Sequence, residues 1–171
     1  MIHLSYHPAF DAFHCIFRFL RIKSREQLTE IEFDKLRILD YYLLFPWRAS
    51  AIRLPQKDIF IRKVAKNLEV KQDYATLPTG EILLERMRAS QMAALQTLAD
   101  DKFIDIKKLQ NNIVCFGEKV IPVELEKRIS EINLQENDRM QIIDALSSYP
   151  LLGMDGLKGR TSLLECRYDR I

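Results

Sequence analysis

Near the start of the chain Phe10, Phe13, Phe17 and Leu20 recur at helical spacing, with Ile16 beside them. A period of 3.6 residues gathers them on one helix face. Pro8 suits a first helical turn, and Arg18, Arg21 and Lys23 enrich the far end, where the helix dipole favours cations. The pattern predicts a helix over 8–22. A second helix is predicted over 33–45, where Phe33, Leu36, Leu39 and Leu43 form a stripe widened by Ile38, Tyr42 and Phe45. Pro46 stops it, because the residue before a proline is biased away from the α region. So wide an apolar face places this helix in the core.

After an irregular stretch, Ile59, Ile61, Val64, Ala65 and Leu68 predict a short basic helix over 57–68. Residues 72–80 read as a loop. The longest helical pattern, 81–99, carries Leu83, Met87, Ser90, Ala94 and Leu98 on one stripe. Phe103, Ile104 and Ile106 then suggest a strand, Asn111 and Asn112 a turn, and 113–116 a second strand. Helices follow over 123–132 and 138–146, and a turn with a last strand over 162–168. Two helices, a long helix and a hairpin occur in the order of a winged helix-turn-helix. The expected fold is therefore mainly α (α+β): a winged helix-turn-helix-like domain with extra N- and C-terminal helices and a small β-hairpin wing. One compact domain is expected over 1–171, divided into an N-terminal helical extension (1–24), the winged-helix-like core (25–120) and C-terminal helices with a final turn or strand (121–171).

Composition narrows the class without naming a function. The chain has 171 residues, 47% hydrophobic and 29% charged, with only 5 Gly and 6 Pro, which excludes collagen-like and low-complexity sequence. No apolar run reaches membrane-helix length. The net charge of +2 is no nucleic-acid signature. Its distribution is uneven, however. Residues 48–71 hold Arg48, Arg53, Lys57, Arg62, Lys63, Lys66 and Lys71 against Asp58 and Glu69. Such a run is either a solvated helix face or a surface for an acidic partner or DNA phosphates. Cys15, Cys115 and Cys166 are scattered among apolar neighbours, as expected of free thiols in a reducing cytoplasm.

Catalytic spacing is missing. The sequence contains no phosphate-binding glycine loop, dinucleotide fingerprint or nucleophile elbow. His7, Asp11 and His14 share one helix face and could offer three metal ligands. A structural role at the helix start accounts for them more naturally, with Asp11 in the first turn favoured by the dipole. The stretch 153–160, with Gly153, Gly156 and Gly159, permits close approach to backbone or to an anion, which Lys158 and Arg160 could pair. On 81–99, Arg86, Arg88, Gln91 and Gln96 could read base edges. Glu81 and Glu85 at the leading end oppose phosphate contact there, which favours protein contact over operator recognition.

Three stretches carry a resemblance: Tyr6-His7-Pro8-Ala9-Phe10-Asp11 running to His14, Phe17 and Arg18; Lys35-Leu36-Arg37-Ile38-Leu39-Asp40 running to Leu44-Phe45-Pro46; and Gly156-Leu157-Lys158 with Arg160 and the final Arg167-Tyr168-Asp169. Together they resemble the middle-component proteins of bacterial ABC-three-component systems, the group that includes Lamassu-type anti-phage defence. The resemblance implies a cytoplasmic accessory subunit with no active site, no cofactor and no small-molecule substrate. Its implied partners are an SMC-like ABC ATPase, as a dimer, and an effector such as a nuclease, with DNA reached through the complex. On this reading the candidate partner contacts are Phe10, Phe13, Phe17, Arg18, Lys158 and Arg160. The candidate nucleic-acid contacts are Arg62, Lys63, Lys66, Arg86 and Arg88. The alternative is a winged-helix transcription regulator.

Overall fold

The computed structural model describes residues 7–26, 28–69 and 78–165. The chain is mainly helical with one small antiparallel sheet. A 3₁₀ turn at Pro8–Phe10 leads into α1 (Ala12–Glu26). Strand β1 (Glu30–Glu32) runs directly into α2 (Phe33–Leu44). Two 3₁₀ turns, Pro46–Ala51 and Gln56–Asp58, precede α3 (Phe60–Asn67). Then come α4 (Gly80–Asp100), α5 (Ile106–Gln110), β2 (Ile113–Cys115), α6 (Val123–Gln135), α7 (Asn137–Ser147) and α8 (Leu157–Thr161).

The periodic segments fold as their stripes require. In α2 every residue from Leu36 to Leu43 is buried, so the helix passes through the core with no solvent side. In α4, Leu83, Leu84, Met87, Ala94, Leu95 and Leu98 face inward. The N-terminal helical segment is integral to the core. α1 packs against α2, α4, α6 and α7, with Cys15, Phe19, Leu20 and Ile22 buried between them. The helix expected over 8–22 is also broken: Pro8–Phe10 forms the 3₁₀ turn, Asp11 is extended, and α1 starts afresh at Ala12.

The expected wing is not formed by its two predicted arms. Ile104 makes a single bridge to Phe116, and Ile106 opens α5, capped by Asp105, whose carboxylate accepts from the Lys107 and Lys108 amides. The partner of β2 is β1, with Ile31 opposite Val114. β1 escapes sequence reading because three residues, alternately exposed, buried and exposed, are too few to declare a period of two. Asn112 does make the expected turn, at φ 60°, and its carbonyl accepts from Phe33 N. Near the C-terminus the residues expected as a turn before a strand form α8, and of the predicted strand 162–168 the last three residues lie outside the described residues.

Candidate functional site

The densest polar chemistry lies inside the core. Asp40, 0% exposed on α2, accepts from Arg18 Nε of α1 at 2.5 Å and from Arg18 Nη2 at 3.2 Å. Gln91 Nε2 of α4 donates to it at 2.9 Å, and Cys15 Sγ at 3.7 Å. Arg37, one helical turn before Asp40, donates through Nε to Gln91 Oε1 at 3.0 Å and through Nη2 to the Leu84 carbonyl at 3.2 Å. Its Nη1 reaches Asp34 at 3.3 Å, and Lys158 Nζ of α8 completes the line 3.4 Å from the other Asp34 oxygen. The chain Arg18–Asp40–Gln91–Arg37–Asp34–Lys158 thus ties α1, α2, α4 and α8 together with its charges paired, as buried ions require.

Electrostatics follow from this burial. Desolvation alone would lower the Arg18 guanidinium, but the Asp40 carboxylate beside it more than offsets that and holds its pKa above the usual value. Cys15 is pushed well up, first by burial and then by the same carboxylate, so its thiol stays protonated and unreactive. Arg21 of α1 is lowered by its own desolvation, which the Glu136 carboxylate offsets only in part. Arg21 also donates to Asn133 Oδ1 at 2.8 Å and so fastens α1 to α6.

The N-terminal His–Asp–His group is used structurally. His7 Nδ1 accepts from Ala9 N at 3.1 Å, and its ring stacks 6.0 Å from Phe45. Asp11 Oδ1 accepts from His14 N at 2.9 Å in the manner of an N-cap for α1. Among the described residues no group of three or more His, Cys, Asp or Glu could hold a metal ion.

The predicted contact residues divide sharply. Arg18 and Lys158 point inward, so their charges are spent on Asp40 and Asp34 and little is left for a partner. Arg160 pairs with Asp155, donates to the Arg53 carbonyl and lies over the Tyr149 ring. Phe17 is half-buried. Phe10 and Phe13 are 48% and 79% exposed. Ser90 Oγ donates to the Ala9 carbonyl, which sets this aromatic edge beside the α4 edge that carries Ser90 and, one turn earlier, Arg86.

The predicted nucleic-acid contacts do not form one surface. Arg62 folds back to the Ile52 carbonyl, while Lys63 and Lys66 point outward from α3. Arg86 and Arg88 are two residues apart on α4, hence about 200° apart around the helix. In the glycine stretch the close approach is to backbone: a Cβ on Gly156 would lie 2.2 Å from the Leu152 carbonyl oxygen. An open depression of about 580 Å³ beside it is lined by Glu81, Glu85, Glu165 and Lys158, a carboxylate-rich wall unsuited to an anion.

Sequence reading missed Asp34, Asp40, Arg37 and Gln91 as one network. A signal was present: Arg37 and Asp40, three apart, interrupt the apolar and aromatic run from Leu36 to Leu43. The shared stretches that carried the resemblance meet at this network and at the His7–Phe45 contact. Over residues 4–169 the sequence matches the family model of the ABC-three component (ABC-3C) system Middle Component 5. Comparison with curated proteins and with solved structures finds no match.

Proposed function

The chain belongs to the ABC-three component system Middle Component 5 family, and from that premise we propose that it is a non-catalytic adaptor joining an SMC-like ABC ATPase to its effector, a nuclease in the simplest case. One observation carries this reading. The family-like stretches converge on a buried, internally satisfied charge network rather than on a cleft. The chemistry of these residues serves to hold four helices in register. Phe10 and Phe13 face outward at the entrance to α1, and exposed Arg86 lies on α4, the helix that packs against the Pro8–Phe10 turn. Exposed aromatics beside an arginine are typical anchors of protein interfaces. DNA is reached through the assembly.

Co-expression with the co-encoded ATPase and effector, followed by purification and native mass measurement, tests the reading. The expected result is a complex containing this chain, and markedly lower recovery when Phe10→Ser and Phe13→Ser are combined. Both residues are exposed, so the pair leaves the isolated chain folded. A chain recovered only as a homodimer that prefers one DNA sequence would favour the winged-helix regulator instead. The opposed directions of Arg86 and Arg88 weigh against that alternative, since one recognition helix presents one face to a groove.

A further inference from the structure

We propose that the outward face of α3, with Lys57 just ahead of it, docks an acidic segment with an apolar stripe on another subunit of the assembly; the proposal rests on the adaptor reading. Among the described helices of eight or more residues, α3 alone contains no carboxylate. Its buried side is Ile61 and Ala65. Around the helix, the opposite side carries Lys63 at its centre, with Phe60 and Asn67 to one side and Ile59 and Lys66 to the other. All five are exposed, and Lys63 and Lys66 form no ion pair among the described residues.

The face is held rigidly from behind. α3 packs on the Pro46–Ala51 turn and on α7, and Arg62 donates to the Ile52 carbonyl. Tyr149 donates to Asp58, and Lys57 lies over the Tyr149 ring. Asp58, the acid closest to α3 in sequence ahead of it, is thereby occupied. A surface fixed before binding loses less entropy when it is covered.

Charge complementarity selects an acidic occupant, and the apolar component selects protein over nucleic acid. Ile59 and Phe60 are 44% and 48% exposed. A phosphate backbone covers lysines but leaves such apolar surface wet, whereas a segment with an apolar stripe flanked by Asp or Glu covers both. The overall charge of +2 also provides no long-range field for DNA.

The test uses the full chain with the purified co-encoded ATPase and the purified co-encoded effector as separate probes. Lys63→Glu with Lys66→Glu is compared with Lys127→Glu with Arg128→Glu, an equal charge change on exposed positions of α6, and thermal melting confirms that both variants fold. The expected result is binding of wild type to both probes, with one of the two interactions weakened about tenfold or more by the α3 pair and by raising ionic strength, and the α6 pair unchanged. Phe60→Ser weakens the same interaction without changing its salt dependence. Binding of the α3 pair at wild-type strength to both probes overturns the inference and leaves the adaptor reading standing. Loss of binding to a short DNA duplex, with both protein interactions intact, overturns it in favour of a phosphate-binding face. No binding of wild type to either probe overturns the adaptor reading and this inference with it.

Discussion

Asp40 accepts from three side chains at once, and each comes from a different part of the core: Arg18 and Cys15 from successive turns of α1, and Gln91 from α4. A carboxylate in that position is stable only because every donor around it is in place. Asp40→Ala therefore strands the Arg18 guanidinium in a desolvated site, and the expected cost is about 3–5 kcal/mol of unfolding free energy. Replacing both partners, Arg18→Met with Asp40→Leu, is expected to recover part of that loss, because an apolar pair leaves no uncompensated charge. Urea denaturation of the wild type and the two variants measures both effects. A single variant as stable as wild type would show that the network carries no stability. Arg37 occupies a comparable position: it is buried, stacked 5.5 Å from the Phe33 ring centroid, and paired with Asp34 and Glu85.

At the scale of elements, boundaries are decided by caps more than by periodicity. Phe10, Phe13, Phe17 and Leu20 describe one continuous stripe, yet the helix does not run through Asp11. The Asp11 side chain accepts from the His14 amide, and its carbonyl accepts from the Cys15 amide, so it stands at the boundary of α1. Asp11→Ala is expected to remove about 1 kcal/mol of stability, seen as a fall of about 2–4 °C in melting temperature. An unchanged melting curve would mean that the preceding 3₁₀ turn alone starts the helix. The helices over 33–45, 57–68, 81–99, 123–132 and 138–146 were legible because each displays several turns of an apolar face. β1, α5 and α8 were not. Each has five residues or fewer, and each exists through bonds to residues outside itself: β1 through β2, α5 through the Ile104–Phe116 bridge and the Asp105–Cys115 backbone bond, α8 through Leu157 and Lys158 amides donating to Pro150 and Leu151.

Across the whole molecule, Tyr149 links pieces far apart in the chain. It follows α7, donates to Asp58 ahead of α3, and lies under Lys57 and Arg160. Burial, and then the hydrogen bond to Asp58, push its phenol up to about 12. In the unfolded chain the group ionises near 10. The stabilisation is therefore complete below about pH 10 and is lost between about 10 and 12, as the unfolded state releases a proton that the folded state keeps. Tyr41 and Tyr42, also raised by burial, act in the same direction. Unfolding free energy is expected to fall across this window, and to fall less steeply in Tyr149→Phe. Equal slopes in the two proteins would place Tyr149 outside the alkaline transition.

The candidate surfaces were only partly legible. Exposure of Lys63 and Lys66 could be guessed from their type and position, whereas the exposure of Phe13 and the inward turn of Arg18 and Lys158 could not. A charged residue on a predicted helix has no preferred side until its counterion is located, and Asp40 and Asp34 lie on another helix, 22 and 124 residues away. Apolar periodicity and proline and asparagine breaks are local quantities, so the chain alone specified a helical protein, its principal helices and the turn at Asn112. Family membership was likewise legible in the shared stretches. The pairing of β1 with β2, the central place of α1 and the separation of inward from outward cations belong to tertiary structure. Each depends on contacts between residues distant in sequence, where burial makes an unpaired charge or an unpaired backbone amide too costly to keep.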